Sequence, residues 1–251
     1  MEKEKRVKKS KPKWPPGLRE PRAKSALPVV VFGIDPGGSS GWAVNVAGRM
    51  RECAKGDTHP QRCNGVRVAM AQAKHHSLPL VVVMETWSPR AFKKMDAVNG
   101  LNEMAGAWKV AFRECGLPMS RLLRIHPPAW QSVMFGPPPW IFANETKLMS
   151  KHIASGLLAD VGWFSVPSSF DVCDAICMAE WGTRAPAVWQ ELTLPMRKKL
   201  MAKHPELAEY QAMLDDCHAA RREWFAAQAV KKAAKEAKKA KMNEGWAEDA
   251  V

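Results

Sequence analysis

Only one tyrosine stands among 251 residues that include eleven tryptophans, and no apolar run approaches the roughly 20 residues that cross a bilayer. The Lys-rich N-terminal stretch is not followed by an apolar segment of signal-peptide length. It carries acids and lacks the Arg/Ser bias of a transit peptide, so a cytoplasmic location without a membrane anchor is expected. No G-x-x-x-x-G-K-[ST] phosphate loop is present, which speaks against a nucleotide cofactor. No segment repeats at a fixed period. Cysteine is sparse: Cys53, Cys63, Cys115, Cys173, Cys177 and Cys217 are scattered through a large chain, a usage that reads as reduced thiols and excludes a disulfide framework. Cys173 and Cys177 lie four apart on an expected helix without a second Cys/His pair at zinc spacing, so both are expected in the core.

Charge of one sign is in excess. Lys and Arg number 38 against 25 acids, a net charge of +13, and a polyanion is the first partner to consider. The excess is uneven. Residues 1–24 hold ten bases and three acids, and residues 225–241 hold six lysines and one acid, whereas residues 25–224 carry 22 bases against 18 acids. With 46% apolar residues the chain can bury a sizeable core, which excludes a wholly disordered protein.

Residues 1–28, rich in Lys and Pro without apolar periodicity, read as a flexible basic arm. The run Val29–Asp35 suits a central strand buried on both faces. Turns at Pro36–Gly41 and Gly48 lead into strands at 42–46 and 49–55, giving three antiparallel strands. Apolar spacing then predicts helices over 62–76 and 97–115, strands at 80–85 and 122–126, and helices at 129–134, 145–158 and 169–182. Ser168 and Asp171 fit a capping box at the start of the last of these. Beyond Ala185 the pattern is helical, broken at Pro186, Pro195 and Pro205. The expectation is an α/β fold in which three antiparallel strands lead into parallel ones, as a mixed five-stranded sheet flanked by helices. The main domain spans 29–183, and a helical C-terminal extension with an Ala/Lys-rich tail spans 184–251.

Four carboxylates sit where such strands and helices meet. Asp35 ends the first strand and Glu85 the fourth, while Asp171 and Asp174 lie three apart on one face of a helix. Each has an ordinary reading: Asp35 as a turn residue, Glu85 as surface, and the helical pair as complements of the helix dipole. Convergent acids repel one another unless a cation intervenes, and all-oxygen donors suit Mg²⁺, with Mn²⁺ as a substitute. Two such ions about 3.5–4 Å apart activate water and stabilise a leaving phosphodiester oxygen.

The segments Gly33-Ile34-Asp35-Pro36-Gly37, Gly41-Trp42-Ala43-Val44, the strand ending in Glu85 and the helix Asp171-Val172-Cys173-Asp174-Ala175 together resemble the RuvC-type Holliday-junction resolvases of the RNase H-like superfamily. Pro127-Pro128-Ala129-Trp130, Gly136 and Lys147 are similar to the segment such proteins carry before the last acidic helix. The resemblance covers residues 29 to about 183, and the basic arm, the long Pro-rich loop at 136–144 and the C-terminal segment depart from it. It implies an RNase H-like fold, with Asp35, Glu85, Asp171 and Asp174 as catalytic metal ligands. It also implies a homodimer that cuts branched DNA symmetrically, leaving 5′-phosphate and 3′-hydroxyl ends. Extended members of this kind occur in phages.

DNA contacts are expected from the loop after Glu85, where Trp87, Arg90, Phe92, Lys93 and Lys94 interleave aromatics with bases, and from Lys147 and Lys151 at i and i+4 on one helix. The alternatives are a core role for Trp87 and Phe92 and a solvated face for Lys151. Trp140-Ile141-Phe142 is a candidate wedge, or a cluster that folds back on the core. His126 at a strand end is a weaker candidate. The leading functional expectation is a Mg²⁺-dependent, structure-selective endonuclease. The competing ones are a DNA-binding or packaging scaffold that keeps the fold without cleavage, and an actin- or sugar-kinase-like phosphotransferase.

Overall fold

Alternation along β1 (Val30–Asp35) organises the molecule. Val30, Phe32 and Ile34 enter an apolar cluster on one face of the sheet, while Val31, Gly33 and Asp35 point to the other. The structure, a computed structural model, describes residues 26–86, 95–135, 143–163 and 165–208 and part of 211–236. Five strands pair in the order β3-β2-β1-β4-β5, with β2 (Gly41–Val46) and β3 (Arg49–Lys55) antiparallel and β4 (Leu80–Glu85) and β5 (Leu122–Ile125) parallel. This is the RNase H-like mixed sheet expected from the sequence. β1 is its middle strand and is buried throughout, as its unbroken apolar run requires.

On the first face, α1 (His59–His76) and α2 (Met95–Glu114) cover Phe32, Trp42, Val44, Val82 and Met84 with Val66, Ala69, Trp108 and Phe112. α1 begins at His59, three residues before the apolar spacing suggests. Thr58 caps it in a reciprocal capping box with Gln61, and Pro60 is compatible with a first turn.

The second face is held by α5 (Phe170–Arg184), which is buried along nearly its whole length and also packs against α4 (Ala143–Ala159) and α3 (Pro127–Met134). The close approach of α5 to the sheet rests on two glycines. A methyl group at Gly33 would lie 2.5 Å from the Ala175 carbonyl oxygen, and one at Gly41 would collide with the Asp171 carbonyl and the Val172 nitrogen. Buried Glu180 accepts from Asn45 Nδ2 at 3.0 Å and from Arg184 Nε at 2.7 Å, which fixes the register of α5 on β2.

The prolines after Ala185 start helices rather than interrupt them. Pro186 and Pro195 occupy the first turns of α6 (Pro186–Glu191) and α7 (Leu194–Lys203), where the missing N–H is not needed. Two compact units divide the chain, and the sheet and α1–α7 belong to Arg22–His204. Within it Leu27 is fully buried and its N–H donates to the Thr183 carbonyl. In the other unit, every described residue from Glu206 to Glu236 is helical.

Candidate active site

Strand parity places the first two acids side by side. β1 and β4 are parallel, with Gly33 opposite Val83 and Ile34 opposite Met84, so Asp35 and Glu85 follow as the next pair in that register. Both point to the α5 face and both are buried, at 4% and 3% exposure. Asp171 and Asp174 arrive on the first turns of α5, brought down by the contact at Gly41. Ligand oxygens of Asp35, Asp171 and Asp174 all lie within 4.8 Å of one another. Glu85 is near enough that its charge raises Asp35, and the Asp174 charge raises Glu85.

Each of three acids has one oxygen fixed by an N–H donor. Asp35 Oδ1 accepts from Gly37 N at 3.0 Å, Asp171 Oδ2 from Ser39 N at 2.9 Å, and Glu85 Oε2 from Trp130 Nε1 at 3.0 Å. The turn that supplies two of these donors is itself clamped. Ser40 Oγ donates to the Asp35 carbonyl and accepts from the buried Trp108 indole at 2.8 Å. Asp174 lies within hydrogen-bonding reach of the buried Ser150 hydroxyl on α4. Asp171 does not close the expected capping box: α5 is capped by Ser169 without a side-chain bond, because the Asp171 carboxylate reaches across to Ser39 and Lys147.

Burial is the first cause that raises Asp35, Glu85 and Asp174, and like-charge repulsion adds to it. Asp35 is pushed well above the usual carboxylate range by burial, then by Glu85, Asp174 and Asp171. Glu85 is raised to about 8 by burial and the Asp174 charge, against the lowering effect of the Trp130 bond and Lys147. Asp174 is raised to about 6, mainly by burial. Four acids this close, with Lys147 paired to one of them (Nζ 3.5 Å from Asp171 Oδ1), form a donor set suited to a hard divalent cation.

Lys147 thus faces the acids, and its Nζ also lies 5.6 Å from the centroid of the Phe170 ring. Lys151, one turn later on α4, sits over the same ring at 6.0 Å. An open groove beside the acids is lined by Ser39, Lys55, Lys147, Ser168, Phe170 and Asp171. Sequence reasoning passed over Lys55, although its place at the end of β3, in register with Gly41, was a usable signal. It also passed over Ser150, for which the sequence carries none. His126 Nδ1 lies 3.2 Å from the Thr86 carbonyl and supports the residue after Glu85. Cys173 and Cys177 are buried, as expected of core thiols. Trp87, Arg90, Phe92, Lys93, Lys94 and the wedge candidate Trp140-Ile141-Phe142 lie outside the described residues.

No protein-family model and no curated protein matches the chain. Among solved structures it is similar to RuvC of T. thermophilus in complex with a Holliday junction substrate (21% identity over 61% of this chain and 92% of that one, TM-score 0.40). It is also similar to the yeast mitochondrial Holliday junction resolvase Ydc2 (16% identity, 63% and 81% coverage, TM-score 0.32). The RNase H-like assignment stands on the strand order and register themselves.

Proposed function

We propose that the chain is a Mg²⁺-dependent, structure-selective endodeoxyribonuclease that hydrolyses phosphodiesters in branched DNA, Holliday junctions foremost. One observation carries this reading: Asp35, Asp171 and Asp174 offer oxygens within 4.8 Å of one another, with Glu85 the next residue in register beside Asp35. Mg²⁺ or Mn²⁺ held by these four carboxylates supplies Lewis-acid stabilisation of the phosphodiester and a water of lowered pKa.

The protein groups around them orient and charge-balance the site. Gly37 and Trp130 each engage one oxygen of Asp35 and Glu85, so ligation calls on the other oxygen with little rearrangement, while Asp171 is held by Ser39 through Oδ2 and shares Oδ1 with Lys147. Lys147 lowers the cost of ionising Asp35, Glu85 and Asp174 together, and with Lys55 it lines a groove of suitable charge for a phosphate backbone. The basic arm and tail contribute salt-sensitive affinity without sequence preference. Action as a homodimer, with two sites cutting opposed strands, belongs to the same proposal.

The test is cleavage of matched four-way-junction, flap and linear duplex substrates in Mg²⁺. Preferential incision of the junction, leaving 5′-phosphate ends, is expected. Tight, salt-dependent binding of all three without metal-dependent incision contradicts the proposal and favours a scaffold that has kept the fold alone.

A further inference from the structure

A second cluster of side chains with metal-ligand chemistry lies on the other face of the sheet. His59 and Cys63 are four residues apart on the first turns of α1, and Glu114 is the last residue of α2. His59 Nε2 is 2.7 Å from Glu114 Oε2 and 3.5 Å from Cys63 Sγ, and Cys63 Sγ is 4.0 Å from Glu114 Oε2. We propose that His59 Nε2, Cys63 Sγ and Glu114 Oε2 form a metal site for a borderline-soft divalent ion of the zinc class, with the fourth position open to solvent.

Three observations support it. With metal–ligand lengths of about 2.0–2.3 Å, tetrahedral zinc sets its ligand atoms roughly 3.3–3.6 Å apart. The His59–Cys63 pair at 3.5 Å fits. An ion has to part the 2.7 Å His59–Glu114 hydrogen bond and draw Glu114 from 4.0 Å toward Cys63, small movements for two exposed side chains. A nitrogen, a sulfur and one carboxylate form a donor set that Zn²⁺ favours and Mg²⁺ or Ca²⁺ does not. Access is asymmetric in a useful way: Cys63 is 5% exposed, whereas the His59 and Glu114 side chains are 42% and 55% exposed, so an ion can enter from solvent and meet a sheltered thiol.

The two helices hold the ligands independently of any ion. The Thr58–Gln61 capping box fixes the first turn of α1, and α1 packs along α2. A bound ion therefore staples two elements already in contact. α2 also carries Trp108, the residue that holds Ser40 behind Asp35, so the staple stabilises the helix that clamps the turn after β1. The neighbouring Cys115, with its Sγ 3.7 Å from the Cys63 carbonyl, makes a Cys63–Cys115 disulfide the competing account.

The experiment uses the full chain, purified under reducing conditions, stripped with a chelator and titrated with Co²⁺ and then Zn²⁺. A thiolate-to-cobalt charge-transfer band is expected at one ion per chain, displaced by Zn²⁺, with zinc also raising the melting temperature. The band is expected to vanish in Cys63→Ser and to persist in Cys115→Ser and Asp35→Asn. His59→Gln and Glu114→Gln alter exposed side chains and keep the helices intact, so each is expected to retain a wild-type circular-dichroism spectrum. Each should weaken Co²⁺ binding by at least the roughly 10–100-fold that a supporting residue commands. A band that is absent, survives Cys63→Ser or disappears in Cys115→Ser overturns the assignment. So does oxidation to a Cys63–Cys115 disulfide in a chain that takes up no Co²⁺. None of these readouts depends on DNA cleavage, so the site stands or falls separately from the proposed nuclease activity.

Discussion

The indole of Trp130 donates to Glu85 Oε2 at 3.0 Å, and both side chains are buried. An indole N–H can only donate, so it favours the ionised carboxylate, and with this bond in place burial still holds Glu85 up at about 8. Trp130→Phe keeps an aromatic ring and removes the donor. A hydrogen bond to a charged group is worth about 1.5–3 kcal/mol, or roughly 1–2 pH units. The rise of cleavage with pH is therefore expected to move about 1–2 units to the alkaline side, with the high-pH plateau little changed. A rate lowered equally at every pH shows instead that the indole serves packing alone.

Metal-free stability should fall as pH rises. Asp35, Glu85 and Asp174 all have folded-state pKa values above their ordinary ones, so between the unfolded values near 4 and the folded values the native state holds more protons than the unfolded one. Stability is fully present below about pH 4 with respect to these groups and is lost progressively up to about 8. Thermal melts in chelator should decline across that window. Glu85→Gln should flatten the decline and melt higher than wild type at pH 8, by about 2–4 °C for each kcal/mol relieved. Added Mg²⁺ should stabilise the wild type most at the alkaline end. A flat wild-type profile contradicts the assignment of strained acids.

Gly41 is predicted to matter through its neighbour on α5. Gly41→Ala drives a methyl group into the backbone at Asp171 and Val172, whereas Gly38→Ala meets nothing within 4 Å. The first should cost about 1–3 kcal/mol in denaturant titrations and displace Asp171, with cleavage falling further than stability. The second should be near neutral in both. Equal behaviour of the two variants counts against the close docking of α5.

Lys147→Gln removes the cation paired with Asp171. Junction binding in chelator should show a salt slope shallower by about 0.9, the amount for one phosphate contact. An unchanged slope removes Lys147 from the DNA-contacting set.

Much of the site was legible because strands impose parity. The unbroken run at 29–35 marked the central strand, and acids ending β1 and β4 could be placed together from element order alone. The approach of α5 was not legible in the same way. Ser168 and Asp171 match a capping box in sequence, but a carboxylate at a helix start can turn to any donor within reach, and Ser39, 132 residues away along the chain, is such a donor. His59 was missed for a related reason. Apolar spacing begins α1 at Arg62, leaving His59 in a loop, whereas the Thr58 cap and Pro60 start it early enough to put His59 one turn from Cys63. The tryptophan excess also acquires a partial rationale. Trp42, Trp108 and Trp130 each donate to an acceptor, at the Lys55 carbonyl, Ser40 and Glu85. A donor-only ring suits sites built around carbonyls and carboxylates.

The most direct test of the account is incision of an end-labelled four-way junction in Mg²⁺ by wild type, Asp35→Asn and Glu85→Gln, each first shown to be folded. Loss of a metal ligand forfeits several kcal/mol of transition-state stabilisation, so both variants should cut at least roughly 100-fold more slowly while still binding the junction. Undiminished cleavage in both variants contradicts the assignment of these carboxylates to the chemistry.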